Sequence, residues 1–178
     1  MTSDLDNVRK LRTNTINQEL ADKAISLGCT KAKIILTKTI SLGSWNKIQC
    51  QYGCSNYGKS FTCPPAAPST DEMSRILLDY HKAILVQTEH ANQIREIVVK
   101  LEEIFKSKGF YKAFALSAAP CDLCEACTLE TGCKYPGKAR PTLHGCGIDI
   151  AQTTNNNGWN TTKQSCLDSA PIGMVLIS

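Results

Sequence analysis

The segment NQIREIVVKLEEIFKSKGFYKAFAL, residues 92–116, indicates the fold class because it changes from a helical to a strand pattern. Its first part repeats apolar residues at helical spacing, which predicts an amphipathic helix over 92–108. Gly109 separates this helix from a predicted strand at 110–116. We expect the apolar stripe to pack against a sheet. The stripe consists of Ile94, Ile97, Val98, Leu101, Ile104 and Phe105.

Predicted helices and strands alternate along the rest of the chain. Ser69 and Glu72 have the form of a capping box, which predicts the start of a helix. The alternation predicts an α/β or α+β fold, with helices covering a sheet of about four strands whose order stays open. The further predicted elements are a helix at 15–28, strands at 33–37, 83–86 and 174–177, and a short helix or turn within 147–157.

Length and composition favour one domain. The chain has 178 residues, of which 42% are hydrophobic, enough for a core of its own. We expect a flexible polar N-terminus at 1–14 and a single domain over 15–178. The net charge of +4 comes without a long basic run, which argues against nucleic-acid binding. No apolar stretch suits a membrane span or a signal peptide, so we expect a cytoplasmic protein without membrane insertion.

The ten cysteines are the main functional signal. A reducing compartment disfavours disulfides, so metal binding is the favoured interpretation. Eight of the ten fall in two segments rich in Gly, Pro and polar residues, at about 43–68 and 118–147. We predict that both segments are long metal-binding loops.

The downstream motif is Cys121-x2-Cys124-x2-Cys127-x5-Cys133. Cysteines at successive three-residue intervals are typical of ferredoxin-type ligation, in which soft thiolates hold the irons of one cluster. A structural zinc site more often pairs two Cys-x2-Cys units across a longer gap. The motif therefore predicts a [4Fe–4S] cluster, with zinc as the alternative.

The upstream motif is Cys50-x3-Cys54-x8-Cys63, which is not the spacing of radical-SAM enzymes. Three thiols need a fourth ligand, and Cys146 is the natural candidate for a second [4Fe–4S] cluster. An exchange between the motifs stays open. A cysteine that precedes proline, as Cys63 does, can ligate the other cluster, with Cys133 or Cys146 completing the upstream one.

The remaining residues near the motifs have weaker assignments. Cys29 and Cys166 are interpreted as ordinary side chains, and His144 as a loop histidine rather than a ligand. Nearby cations would offset the negative charge of thiolate-bound clusters and attract an acidic partner, although solvated loop side chains explain them equally well. These cations are Lys47, Lys59, Lys134, Lys138 and Arg140.

Several stretches resemble, in matching order, an uncharacterised family of predicted metal-binding proteins, domain of unknown function 2284. The resemblance implies a metal or iron–sulfur role, mostly in anaerobic bacteria and archaea, and no assigned reaction. His144 departs from the acidic residue expected there, which weakens a ligand role for it. The stretches are CQYGCSNYGKSFTCPP (50–65), FYKAFAL (110–116), PCDLCEAC (120–127), CKYPGKARP (133–141) and CGID (146–149).

Three functions are compatible with these features. The favoured one is low-potential electron transfer between a reductase and an acceptor enzyme, with the clusters as carriers. The second is an enzyme or enzyme activator with one iron open to substrate. The third is a zinc-stabilised interaction module. No phosphate-binding glycine loop, dinucleotide fingerprint or nucleophile elbow is present in the sequence.

Overall fold

The computed structural model describes residues 2–161 and 171–178, where the strands form one four-stranded antiparallel sheet in the order β1-β2-β4-β3. The predicted α/β or α+β class is confirmed. No helix in these ranges is both long and apolar enough to cross a membrane. The strands are β1 (Lys31–Leu36), β2 (Lys82–Gln87), β3 (Phe114–Ser117) and β4 (Ile172–Ile177). The helices are α1 (Thr2–Ser26), α2 (Trp45–Gly53), α3 (Thr70–Leu78), α4 (Ala91–Ser107) and α5 (Ile150–Asn156).

The strand order explains why β4 is so apolar. Helix α4 links β2 to β3, and β4 inserts between these two strands and pairs antiparallel with both. A central strand that is covered on both faces needs apolar residues at successive positions rather than in alternation. All six residues of β4 are buried.

One face of the sheet is covered by α1 and α4. The side chains of Ile94, Val98, Leu101 and Phe105 are fully buried there, so the prediction that this stripe packs on the sheet is confirmed. Helix α4 approaches β4 closely at Gly173. A Cβ at this position would lie 2.5 Å from Val98 Cγ1 and 2.8 Å from Ile94 Cγ1.

The opposite face of the sheet is covered by short helices and by the cysteine-bearing segments. The strands supply side chains alternately to the two faces, as in β2, where Ala83 and Leu85 point to this side. The cysteine-bearing segments are therefore a layer of the fold. Its connecting segments and short helices contribute Ile40, Ala67, Met73, Leu143, Cys146, Ile148 and Ile150.

Two short helices on this face begin at capping side chains. The predicted capping box is present at α3, where Ser69 N–H donates to Glu72 Oε2 at 2.8 Å and Glu72 N–H donates to Ser69 Oγ at 3.3 Å. At α5, the Asp149 carboxylate accepts a hydrogen bond of 2.9 Å from Gln152 N–H. Asp149 therefore orients the segment that follows Cys146.

Two element boundaries differ from the sequence prediction by more than two residues. Helix α1 starts at Thr2 rather than at residue 15, because most of its residues before Thr15 are polar and do not indicate a helix by themselves. Strand β3 starts at Phe114 rather than at residue 110. Phe110 instead turns back, packs edge-on against Phe105 at 6.4 Å between ring centroids, and accepts a hydrogen bond from Ala113 N–H.

The prediction for the first cysteine segment needs a larger correction. Residues 43–68, predicted as one long loop, contain the nine-residue helix α2. Its buried side chains are Asn46 and Cys50, whereas Ile48 and Tyr52 are 62% and 81% exposed. Because the buried face of α2 carries Asn46 and Cys50 and no aliphatic residue, the apolar stripe that usually predicts a helix is absent here.

Candidate metal centre

The upstream group of thiols is assembled from three separate segments on the loop-covered face. Helix α2 carries Cys50, and the following residue, Cys54, caps its end by donating its N–H to Cys50 O at 3.3 Å. The other two thiols lie in turns that are joined by a backbone hydrogen bond of 2.9 Å from Thr142 N–H to Thr62 O. The upstream group is Cys50, Cys54, Cys63 and Cys146.

The upstream thiols lie close enough together to affect one another's protonation. Burial, and then the charges of Cys54 and Cys63, raise the pKa of Cys50 to about 11. Burial, and then the charges of Cys63 and Cys50, raise the pKa of Cys146 to about 12, with Glu72 adding to the rise. Both thiols therefore stay protonated at neutral pH without a metal, and a bound metal has to displace their protons.

The downstream group lines a single cavity of about 480 Å³. Its backbone consists of turns and bends, and all four thiols are partly exposed. Residues 58–62 of the first cysteine segment also line the cavity, so both cysteine segments contribute to it. The downstream group is Cys121, Cys124, Cys127 and Cys133.

The two groups are neighbours. Burial is the largest cause of the raised pKa of Cys63, and Cys121 of the other group also contributes to the rise. Hydrogen bonds with Thr62 and Thr142 oppose this shift. Burial is likewise the largest cause of the raised pKa of Cys121, and the charge of Cys133 contributes to the rise. The sheet thus brings both cysteine segments together although they are distant in sequence.

A buried ion pair fixes the end of the downstream segment to α4. Arg140 Nε and Nη2 donate to the two oxygens of Glu102, at 2.6 and 2.8 Å. Arg140 Nη1 also donates to Ala139 O at 2.7 Å, and the guanidinium lies 5.3 Å from the ring centroid of Phe114. The charge of Arg140 is therefore compensated by Glu102, and the interpretation of this residue as a cation serving a cluster or a partner is corrected.

Glu102 is held ionised by the same contacts. Burial by itself raises the pKa of the Glu102 carboxyl, but hydrogen bonds from Arg140 and Lys106 outweigh this effect. The N–H of Ala115 in β3 adds a third, at 2.7 Å, and the pKa lies below its ordinary value. One carboxylate thus joins α4, β3 and the downstream segment.

The start of the downstream segment is held by a more exposed ion pair. Arg95 of α4 donates from Nε to Asp122 Oδ1 at 2.9 Å, next to Cys121. The Asp122 side chain is 61% exposed. Ion pairs to α4 therefore hold both ends of the segment, one in the core and one at the surface.

Asn46 and Glu102 are site residues that the sequence analysis did not identify. Asn46 is fully buried and precedes Cys50 by one helical turn. Glu102 follows Val98 by four residues, which puts a carboxylate on the apolar face of α4. A polar residue on a buried helix face was the available signal in each case.

The residues that were not assigned as ligands have different positions. Cys29 lies in the core beneath α1 and α4, away from both thiol groups. Cys166 lies outside the described residues. His144 was expected to be an ordinary loop histidine, but it is fully buried and meets the Trp45 ring edge-on at 5.7 Å between centroids.

Soft sulfur donors are the ligands that an iron–sulfur cluster takes, and each group has four of them. Among the described residues, no three Cys, His, Asp or Glu side chains are gathered closely enough to hold a metal ion. The eight cysteines thus remain predicted ligands, arranged in two groups.

The comparison with known families agrees with this arrangement. The family described as "Predicted metal-binding protein (DUF2284)" matches residues 33–177, from β1 to the end of β4. The chain belongs to this family. The match includes both cysteine segments and confirms the resemblance noted in the sequence.

DUF2284 membership supports metal binding as the function class and leaves the metal unspecified. No curated protein and no solved structure matches the chain. The identity of the metal and the reaction therefore have to be inferred from the site itself.

Proposed function

We propose that this DUF2284 protein is a cytoplasmic iron–sulfur protein with two [4Fe–4S] sites, which passes low-potential electrons to a partner enzyme. The observation that carries the proposal is the division of eight thiols into two groups of four. Four thiolates are the usual ligand set of one such cluster. One-electron exchange is the chemistry that a cluster of this type supplies.

For the upstream site, the influence of Cys63 and Cys50 on the pKa of Cys146 favours Cys146 as the fourth ligand. After burial, the charges of Cys63 and Cys50 raise the pKa of Cys146, although a long stretch of chain separates Cys146 from Cys63. Deep burial would exclude water from a cluster bound there and lower the local dielectric constant. The alternative in which Cys63 ligates the downstream cluster receives less support, although the charge of Cys121 contributes to the raised pKa of Cys63 after burial and Cys54.

For the downstream site, the common cavity favours one cluster on all four cysteines. Lys59 and Lys134 also line this cavity, and both residues are exposed. Their positive charge would compensate the negative charge of a thiolate-bound cluster and attract an acidic redox partner. The partly exposed thiols make this site the better candidate for exchange with a reductase or an acceptor enzyme.

A second function is an enzyme or activator in which one thiol of a group does not ligate and leaves one iron open. The size of the downstream cavity favours this function. About 480 Å³ lies within the range of small-molecule binding sites. Ser60 and Tyr135 line it together with the lysines, and these side chains offer hydrogen bonds to a polar ligand. A small ligand that perturbs the EPR spectrum of the loaded protein would support this alternative.

Metal analysis of protein purified without oxygen tests the proposal. We expect a brown protein with about eight irons and eight labile sulfides per chain, and a [4Fe–4S] EPR signal after dithionite reduction. A colourless protein with stoichiometric zinc would support a zinc-stabilised interaction module instead. Protein that neither contains iron nor accepts it on reconstitution would contradict both cluster functions.

A further inference from the structure

The buried face of α2 carries a polar side chain that reaches the turn around Cys146. Asn46 is fully buried, and its Nδ2 donates to Ile148 O at 3.0 Å and to His144 O at 3.4 Å. These two carbonyls lie two residues on either side of Cys146. The amide therefore spans the turn that presents this thiol.

Asn46 is also linked to the other side of the upstream group. Cys50 follows it by four residues in the same helix, so the two side chains share one face of α2, and both are buried. A single side chain thus connects the helix that carries Cys50 to the turn that carries Cys146. Cys54, which caps α2, depends on the same helix.

We propose that Asn46 is a positioning residue that holds the Cys146 turn against α2, so that Cys146 can complete the upstream ligand set. The inference rests on the proposed function for its purpose, and on the two hydrogen bonds for its geometry. Asn46 itself is not a ligand in this proposal. It acts through the position of Cys146.

The two halves of the Asn46 amide support a role beyond filling space. The orientation of the amide is determined, because only its NH₂ group can donate to two carbonyls. Its Oδ1 is buried and has no hydrogen-bond partner in the described part of the chain. An unpaired buried acceptor is unfavourable, so an apolar side chain would suit this position better if packing were its only role.

The turn has a second, backbone attachment that makes the test feasible. Gly43 N–H donates to Gly147 O at 2.8 Å, and Leu42 pairs with Ile148 in an isolated bridge. Neither contact involves the Asn46 side chain. We therefore expect Asn46→Leu, which keeps the branching at Cγ and the number of heavy atoms and removes the donor, to fold while the Cys146 turn loosens.

Thiol labelling of the full metal-free chain tests the positioning directly. In Asn46→Leu, alkylation of Cys146, followed by mass spectrometry, should accelerate at least about tenfold. The rate at Cys29, buried in the other core, should stay unchanged and reports global unfolding. Unchanged labelling of Cys146, or parallel acceleration of both thiols, would overturn the inference.

Asn156→Leu is the matched control. The Asn156 amide also donates to a backbone carbonyl, that of Thr39 at 3.1 Å, but it is exposed and lies on α5. Neither thiol should react faster in this variant. If Asn46→Leu does not fold by circular dichroism, Asn46→Ser, with a shorter donor, undergoes the same labelling with the same criteria and a smaller expected increase.

Anaerobic loading then separates this inference from the proposed function. With wild type at about eight irons, Asn46→Leu should hold about four and keep the EPR signal of the downstream site. An iron content and spectrum equal to wild type would overturn the positioning role while the proposed function stands. Wild-type protein without iron would contradict the proposed iron–sulfur function. The labelling result would still decide whether Asn46 positions Cys146.

Discussion

The two thiol groups differ in how they are assembled. The downstream cysteines lie within one short irregular segment, are partly exposed, and are held by ion pairs at both ends. In the upstream group, Cys50, Cys63 and Cys146 are at most 4% exposed and come from three segments of the folded core. The downstream group thus depends mainly on local sequence, whereas the upstream group exists only in the folded chain.

The largest expected effect separates the two groups by their ligands. Cys146→Ser should remove the upstream cluster, and Cys127→Ser should remove the downstream one. Each variant should retain about four of about eight irons and the EPR signal of the cluster that remains. Iron analysis and EPR of anaerobic protein check this. Cys29→Ser, which alters a buried thiol outside both groups, should keep all of the iron. Full iron content in Cys146→Ser would exclude Cys146 as a ligand.

The second effect concerns the attachment of the downstream segment. Arg140→Ala should lower the free energy of unfolding by about 3–5 kcal/mol, because it leaves the Glu102 carboxylate buried without its main partner. Urea unfolding measures the change. Glu96→Ala, which breaks the exposed pair between Glu96 and Lys100, should cost less than about 1 kcal/mol. Equal losses in both variants would contradict the special role of the buried pair.

The third prediction compares the sensitivity of the two sites to air. The downstream cluster should lose iron several times faster than the upstream one, because its thiols are more exposed to oxygen and water. Iron release can be followed in Cys146→Ser, which retains the downstream site, and in Cys127→Ser, which retains the upstream site. Faster iron loss from Cys127→Ser, which retains the more buried site, would contradict the expected link between thiol exposure and iron loss.

The fourth prediction is a pH dependence of stability due to Glu102. Its pKa in the folded chain is lowered, so its contribution is fully present above the unfolded value of about 4.3. The contribution is lost as the pH falls through the folded-state pKa. Urea unfolding of wild type and Glu102→Gln should therefore differ most near pH 7, and the difference should shrink below about pH 4. A constant difference would contradict this assignment.

The smallest expected effect is at the exposed end of the downstream segment. Asp122→Asn weakens the ion pair with Arg95 and should cost less than about 1 kcal/mol, because the Asp122 carboxylate is well solvated. The same urea measurement applies. Glu125→Gln, at an exposed carboxylate of the same segment, provides the control. A loss as large as that of Arg140→Ala would show that both ends are held equally.

Much of the fold was predictable because its signals are local. The stripe of α4, the capping box of α3 and the apolar run of β4 each depend on neighbouring residues. Helix α2 was missed because its buried residues, Asn46 and Cys50, are not aliphatic. The strand order could not be predicted, since pairing of β4 with both β2 and β3 depends on contacts between distant parts of the chain.

The candidate site likewise has a part that local sequence predicts and a part that depends on the tertiary structure. The spacing of the downstream cysteines is enough to indicate one metal site, and the tertiary structure adds their common cavity. For the upstream group, the sequence suggested Cys146 only by counting thiols. The contacts of Asn46 and the ion pair of Glu102 with Arg140 could not be predicted, because each joins residues that are far apart in the chain.

The sequence by itself determined the helices with aliphatic stripes, the fold class, the membership of a metal-binding family and the thiols available to a metal. Only the tertiary structure decided which thiols lie together, which of them are buried and which polar residues hold them. The physical reason is that residue spacing fixes neighbours along a helix or loop. Neighbours across a sheet follow from the burial of apolar surface by the whole chain.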